Sequence, residues 1–391
     1  MDRRDLLRWS CAQCAVFSGL GAGVAHADTD SSGVPHPPWQ PPARFSRPDL
    51  ASDEGGLWAL MDREETRMRR SPFRIRDAGL ETYLKEITCR LAGGHCDDIR
   101  TYALRAPYFN AAMAPNGMML IWSGLLLRTE NEAQLGAVIG HEIAHYLQRH
   151  SVDRLRDVRG RAAFGQFMAM FGVVGLVGSL VAAAGAMAYS RDHEREADRI
   201  GVMLMRQAGY DARAAALVWS NLLEEITANP NADPTKNSVL FATHPPSAER
   251  RQTLEKLAAG SPSGDQGAEA FKTRMAAIRP MMLEDEIKRM RYAESIVLIT
   301  RLIRSSTQDA HLLHYRGESH RLRLEAGDAE AALRDFEAAL QTAAPLAITH
   351  RSLGYLYRTM GHPAKSSDHF SQYLSLSPEA RDAELIKKEL L

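Results

Sequence analysis

Two short stretches hold the residue types and spacing needed to bind a metal ion and hydrolyse a bond beside it. His141 and His145 stand four apart in Ala137-Val138-Ile139-Gly140-His141-Glu142-Ile143-Ala144-His145-Tyr146-Leu147, an H-E-x-x-H motif inside an apolar, helix-compatible run. On an α-helix such a pair shares one face, about 6 Å apart along the axis, so both imidazoles can reach one zinc ion. Glu142 lies one position on, too far around the helix to join them easily. It suits the role of general base toward a water molecule instead.

A catalytic zinc takes three protein ligands and keeps a fourth position open. The third candidate lies in Ser190-Arg191-Asp192-His193-Glu194-Arg195-Glu196-Ala197-Asp198, where Glu194 and Asp198 are again four apart. The economical arrangement puts Glu194 on the metal while Asp198 accepts the outer N–H of a ligand histidine and fixes its ring. Glu196 and His193 compete for the ligand role, but neither has a partner acid one turn ahead on its face. His244, in His244-Pro245-Pro246, has three readings: it occupies the open position, it stabilises an oxyanion during turnover, or it is a plain loop histidine. Arg191 and Arg250 read as salt-bridging scaffold residues.

These residues need a sizeable scaffold, and the chain has the material for one. It has 391 residues, 45% of them hydrophobic, with 48 Lys+Arg balanced by 48 Asp+Glu. That balance leaves no bulk positive charge for binding nucleic acid. Residues 1–27 read as an export signal: Arg3-Arg4 resemble a twin-arginine start, residues 9–24 carry no charge, and Ala25-His26-Ala27 suits signal peptidase. Cys11 and Cys14 would leave with it. Cys89 and Cys96 remain, and in an oxidising compartment they either bridge or stay free. Residues 28–56 form a proline-rich extended arm, residues 57–259 the metallopeptidase domain, residues 260–268 a small, polar linker, and residues 269–391 a helical repeat domain.

The repeat has a period. Gly327 and Gly361 are 34 apart, as are Phe336 and Phe370, with Ala332, Ala339, Gly354, Tyr357 and Pro378 around them. Glycine at the interhelix turn and an aromatic in the second helix resemble tetratricopeptide repeats, whose stacked helix pairs make a concave docking face. Residues 281–312 read as a degraded earlier copy.

The stretch from Asn110 to His150, with Ala114-Pro115-Asn116-Gly117 and Ser123-Gly124-Leu125 leading into His141-Glu142-x-x-His145, resembles the HtpX/BepA-type zinc peptidases. Ser190-Arg191-x-x-Glu194-x-x-Ala197-Asp198 matches that family's third-ligand motif, and the His244 segment its His-Pro segment. The resemblance covers about residues 75–255. It implies a mainly α (α+β) chain: a gluzincin-like helical metallopeptidase domain with a small β-hairpin, followed by a tetratricopeptide-type α-solenoid. It further implies one zinc ion and a periplasmic endopeptidase acting on misassembled outer-membrane proteins. The repeats would contact the outer-membrane assembly machinery.

Pro115-Asn116-Gly117 between 108–114 and 118–123 signals the hairpin, whose edge suits strand addition by an unfolded substrate as well as a purely structural role. Residues 162–190 carry no charge, a length that ordinarily suggests a membrane span. A single crossing would part His145 from Glu194, so the expectation is a helical hairpin broken near Gly172, Gly175 or Gly178. It would pack as core or lie on a membrane surface through Phe164, Phe167, Met168, Met170 and Phe171. The rival to a protease is a repeat-based chaperone or assembly adaptor with a latent or structural zinc.

Overall fold

The computed structural model describes residues 39–157, 189–229, 244 and 248–390. The export segment, most of residues 162–190, and Pro245-Pro246 lie outside them. Among the described residues no helix is long and apolar enough to cross a membrane.

Helix α1 (Asp53–Arg70) starts four residues before Leu57, because the Ser52 hydroxyl caps it by accepting the Gly55 amide. It buries Leu57, Met61 and Met68 on one face. Glu65, also buried there, accepts from Arg100 at 2.7 and 2.6 Å, from the Tyr102 hydroxyl at 2.7 Å and from Arg69 at 2.9 Å. Burial alone would raise the Glu65 pKa, but these donors outweigh it and hold it at about 2. Helix α2 (Ala78–Ala92), capped by Asp77, buries Leu80, Leu84, Ile87 and Leu91 and stops at Gly93, where φ is 53°. A disulfide joins Cys89 in its last turn to Cys96 in the following 3₁₀ segment. The choice between bridge and free thiols is thereby made.

Three strands follow: β1 (Arg100–Leu104), β2 (Ala111–Met113) and β3 (Met118–Trp122), in the order β1-β3-β2. The β2–β3 hairpin is the one expected around Pro115-Asn116-Gly117, though shorter. Its first arm begins late because residues ahead of it are pinned elsewhere. Ser123 Oγ accepts the Ala106 amide and donates to the Ala106 carbonyl, and a Cβ on Gly124 would stand 2.4 Å from the Tyr108 backbone. Strand β1 pairs parallel with β3, a partner too distant in sequence to leave a hairpin signal. All five residues of β3 are buried, as a central strand covered on both faces requires.

Helix α3 (Ser123–Arg128) leads into α4 (Glu132–Leu147), α5 (His150–Asp157), α6 (Arg191–Gln207), α7 (Ala214–Thr227) and α8 (Ala248–Ala258). Helix α4 lies at the centre, packed on α2, α6, α7 and β2. The small, polar run 260–268 is tied down: Asp265 N donates to the Gly209 carbonyl, and Asp211 N and Ala133 N donate to the carbonyls of Asp265 and Gln266.

Eight further helices complete the chain: α9 (Ala268–Ala276), α10 (Arg279–Ile287), α11 (Tyr292–Ser305), α12 (Ala310–Arg323), α13 (Asp328–Leu340), α14 (Ala347–Thr359), α15 (Pro363–Leu376) and α16 (Ala383–Lys388). Gly327 and Gly361, with φ of 83° and 78°, start the second helix of the pairs α12–α13 and α14–α15. The pairs share a second device. Phe336 packs on Gly317 and Phe370 on Gly354, where any Cβ would lie 2.8 and 2.4 Å from the ring. The architecture is mainly helical with one small sheet, as expected.

Everything described from Ala43 onward belongs to one compact unit. A buried ion network joins its two halves: Arg128 on α3 donates to Glu225 on α7 and Glu286 on α10, each at 2.8 Å, and Arg301 on α11 also donates to Glu225. Burial would raise the Glu286 pKa, yet Arg128 and Arg289 keep it lowered. Arg128→Met removes the cation shared by two buried carboxylates, leaving Glu225 to Arg301 and Glu286 to Arg289, and should cost up to about 3–5 kcal/mol in denaturant unfolding. Glu65 supplies a pH test. Its folded pKa lies below the ordinary value, so its contribution is complete above about pH 4.5 and vanishes as pH falls toward 2. The melting-temperature gap between wild type and Glu65→Gln should therefore stay nearly constant from pH 6 to about pH 4.5 and narrow as pH falls from there toward 2.

Candidate metal centre

The ligand candidates sit where α4 and α6 come closest. Asn131 starts α4 by accepting the Gln134 amide, and Ser190 starts α6 by accepting that of His193. The helices meet through glycine: a Cβ on Gly201 would stand 3.1 Å from the His141 backbone nitrogen, and one on Gly140 3.3 Å from the Gly201 carbonyl oxygen. This closeness lets side chains from separate helices reach one point.

Four side chains converge there. His141, His145, Glu194 and His244 are all buried, with one donor atom from each within 4.8 Å of the others. His141 Nε2 lies 3.1 Å from His145 Nε2 and 3.2 Å from His244 Nδ1. Glu194 Oε1 lies 2.7 Å from His244 Nδ1 and 3.4 Å from His145 Nε2. Ligands at 2.0–2.1 Å around a tetrahedral zinc stand roughly 3.3–3.4 Å apart, close to these separations. The outer nitrogen Nδ1 of His141 is taken by Asp198 at 2.9 Å, which turns the Nε2 lone pair inward. Lone pairs and a carboxylate facing one another at this range call for a cation, and the donor set of imidazoles and one carboxylate fits zinc.

Glu142 faces the same point. It is 2% exposed, and its Oε1 lies 3.5 Å from His244 Nε2 with no hydrogen-bond partner. Burial raises its pKa. Burial alone would also raise Glu194, but the charges of His244 and Arg250 outweigh it and hold that carboxyl well below its ordinary value. Burial depresses His145 well below the ordinary histidine value. For His244 burial works downward too, yet Glu194 and Glu142 leave it raised.

Arg250, read from the sequence as scaffold, is part of the centre. It grips Asp198 with two hydrogen bonds, Nε to Oδ2 at 2.8 Å and Nη2 to Oδ1 at 2.7 Å. It also lies 2.8 Å from Glu194 and stacks over the Trp219 ring at 3.9 Å. Asp198 is thereby fixed between the arginine and His141, its pKa lowered by Arg250 and His141 against the effect of burial. The structure thus brings together His141, Glu142, His145, Glu194, Asp198 and His244. Of the competitors for third ligand, Glu196 points to His150 and His193 stacks on that same histidine. Neither joins the cluster. Sequence inspection missed Trp219 and His150, and it read Arg250 as salt-bridging without placing those bridges at the metal centre. A lone arginine six residues past His244 carries no spacing that separates it from a surface residue.

The fold and the site define a class. Residues 75–258 match the model of peptidase family M48, and this part of the chain is a peptidase family M48 domain. The chain is similar to a beta-barrel assembly-enhancing protease of Yersinia pestis, 27% identical over 226 residues, 52% of this chain and 45% of that protein. It is also similar to the mitochondrial metalloendopeptidase OMA1 of Schizosaccharomyces pombe, 31% identical over 169 residues, 40% of this chain and 45% of that one. The corresponding protein of Arabidopsis thaliana is 31% identical over 140 residues, 35% of this chain and 29% of its own. The chain thus spans less than half the length of these curated relatives.

The α4–α6 contact carries a test. Gly201→Val places two methyl groups against the His141 backbone, which cannot move aside as a flexible side chain would. Overpacking of this kind costs about 1–3 kcal/mol. Denaturant unfolding of the metal-free variant should show a loss in that range, together with weakened zinc binding.

Proposed function

We propose that the chain is an exported, zinc-dependent endopeptidase of the periplasm that hydrolyses misfolded or misassembled envelope proteins, outer-membrane proteins among them. The observation that carries this reading is the buried Glu142 carboxylate, its Oε1 lacking a hydrogen-bond partner beside the four converging donors. The names of the relatives support the direction: one enhances beta-barrel assembly, others are metalloendopeptidases.

In this reading His141, His145 and Glu194 hold the zinc. Bound there, zinc polarises a scissile carbonyl and acidifies water. Glu142 takes the proton of the attacking water on its unpartnered oxygen and returns it to the leaving amine. A carboxyl with a raised pKa is suited to both halves of that transfer. Asp198, gripped by Arg250, keeps the His141 ring turned so that Nε2 faces inward. Substrate would align along β2, the edge of the sheet beside α4. There Asn110 O and Ala114 N serve β3, with Ala112 opposite Leu120 between them, so the backbone groups of Ala111 and Met113 turn away from β3. Both residues are buried, and a substrate strand adding there would displace what covers them.

His244 in the observed position supplies a fourth protein donor, the geometry of a latent enzyme that opens when His244 withdraws. The helix pairs α12–α13 and α14–α15 would act as tetratricopeptide repeats that dock substrates or the assembly machinery. A second reading draws on the same four donors: a closed set is the habit of structural zinc sites, which favours a repeat-based chaperone or adaptor. Glu142 argues against it, since a structural site has no use for a base.

Zinc content and casein cleavage decide between them. One zinc per chain is expected in wild type, Glu142→Gln and His244→Ala. Cleavage should fall about 10²- to 10⁴-fold in Glu142→Gln and rise in His244→Ala. One zinc with no cleavage by any variant, alongside suppressed aggregation of unfolded barrels, would favour the chaperone.

A further inference from the structure

His150 opens α5 and is 2% exposed. It stands five residues past His145, which on an unbroken helix would point the two side chains about 140° apart. They meet because the helix breaks between them. Helix α4 ends at Leu147, Arg149 adopts a left-handed φ of 59°, and α5 starts anew at His150. A non-glycine residue adopts that conformation only where its surroundings hold it there. Arg149 is held in it by an ion pair with Glu54 and by packing over the Phe45 ring.

The turn delivers His150 Nδ1 to 2.9 Å from His145 Nδ1. On its far side His150 Nε2 lies 3.3 Å from Glu196 Oε2, and Gln148 Nε2 donates to Glu196 Oε1 at 3.0 Å. Rings confine the pair from both sides. Tyr189 stacks on His145 at 4.0 Å, and His193 stacks on His150 at 4.2 Å.

We propose that His150 and Glu196 are positioning residues for His145. Glu196 accepts the Nε2 proton of His150, which leaves Nδ1 of His150 as a lone-pair acceptor. His145 donates its Nδ1 proton there and so presents the lone pair of its Nε2 to the metal. The two ligand histidines are then oriented by different chemistry. His141 leans on a buried carboxylate gripped by an arginine, whereas His145 leans on a neutral imidazole backed by a carboxylate 40% exposed. Glu196 acts through His150 and never touches the ion. The inference rests on the metal-site reading above, and its test separates the two.

The test uses the full chain, stripped with a chelator and titrated with zinc against a chromogenic competitor, with the cobalt(II) spectrum as a second readout. Glu196→Ala changes a partly exposed residue and leaves the core intact. His150→Leu fills the space without an acceptor, and His150→Asn restores an acceptor oxygen near the Nδ1 position. Glu196→Ala and His150→Leu should weaken zinc binding about 10- to 100-fold and shift the cobalt bands, with His150→Asn within about threefold of wild type. Wild-type affinity and an unchanged spectrum in both Glu196→Ala and His150→Leu would overturn this inference alone. So would a His150→Asn variant as weak as His150→Leu, which would reduce His150 to packing. A wild-type chain that binds neither zinc nor cobalt would overturn it together with the metal site.

Discussion

The contact between Gly140 and Gly201 is the constraint on which the centre depends. Two ordinary helices pack with axes 8–10 Å apart, held off by their side chains. With glycine on both sides the backbones of α4 and α6 come so close that a Cβ on either glycine would crowd the facing helix backbone. Only then can His141 and His145 from one helix share a point with Glu194 from the other, while Asp198, one turn further along α6, reaches the back of the His141 ring. The rest of the peptidase domain holds this pair. Helix α2 and strand β2 flank α4, and α8 brings Arg250 across α6 with Trp219 of α7 beneath it.

Charge explains why so much is spent on orientation. Glu142, Glu194 and Asp198 are all buried, and Arg250 is the buried cation that contacts two of them. Burying a carboxylate without compensation costs several kcal/mol. Arg250 therefore does electrostatic work as well as positioning: it keeps Asp198 ionised and, with His244, keeps Glu194 ionised, while burial leaves Glu142 with a raised pKa. Three neighbouring carboxyls thus receive different affinities for protons from their placement alone. The arrangement separates ligand and orienting groups, which must stay charged, from a base that must exchange a proton.

What could be read from the sequence follows from how local each interaction is. The H-E-x-x-H pair and the Glu194–Asp198 pair obey helix periodicity, so their faces were legible from spacing. The hairpin at Pro115-Asn116-Gly117 and the turn glycines Gly327 and Gly361 are also local signals, and the structure has a turn at each. Strand β1 was not legible, because its parallel partner β3 supplies no turn between them. His150 was hidden for another reason: its meeting with His145 needs a left-handed residue, and the residue that adopts it is Arg149 rather than glycine. The network of Arg128, Glu225, Glu286 and Arg301 joins residues far apart in sequence, where charges at ordinary helical positions look like solvated ones. The hairpin expected within 162–190 falls outside the described residues, apart from Tyr189 and Ser190.

The central claim is that α4 and α6 are held together so that nitrogen and oxygen donors close around one metal ion. Zinc-edge X-ray absorption of the purified full chain tests it most directly. The account predicts one zinc per chain, with a first shell of nitrogen and oxygen at about 2.0–2.1 Å and the outer-shell scattering of imidazole rings. A sulfur shell near about 2.3 Å, or a chain that retains no zinc, would contradict it.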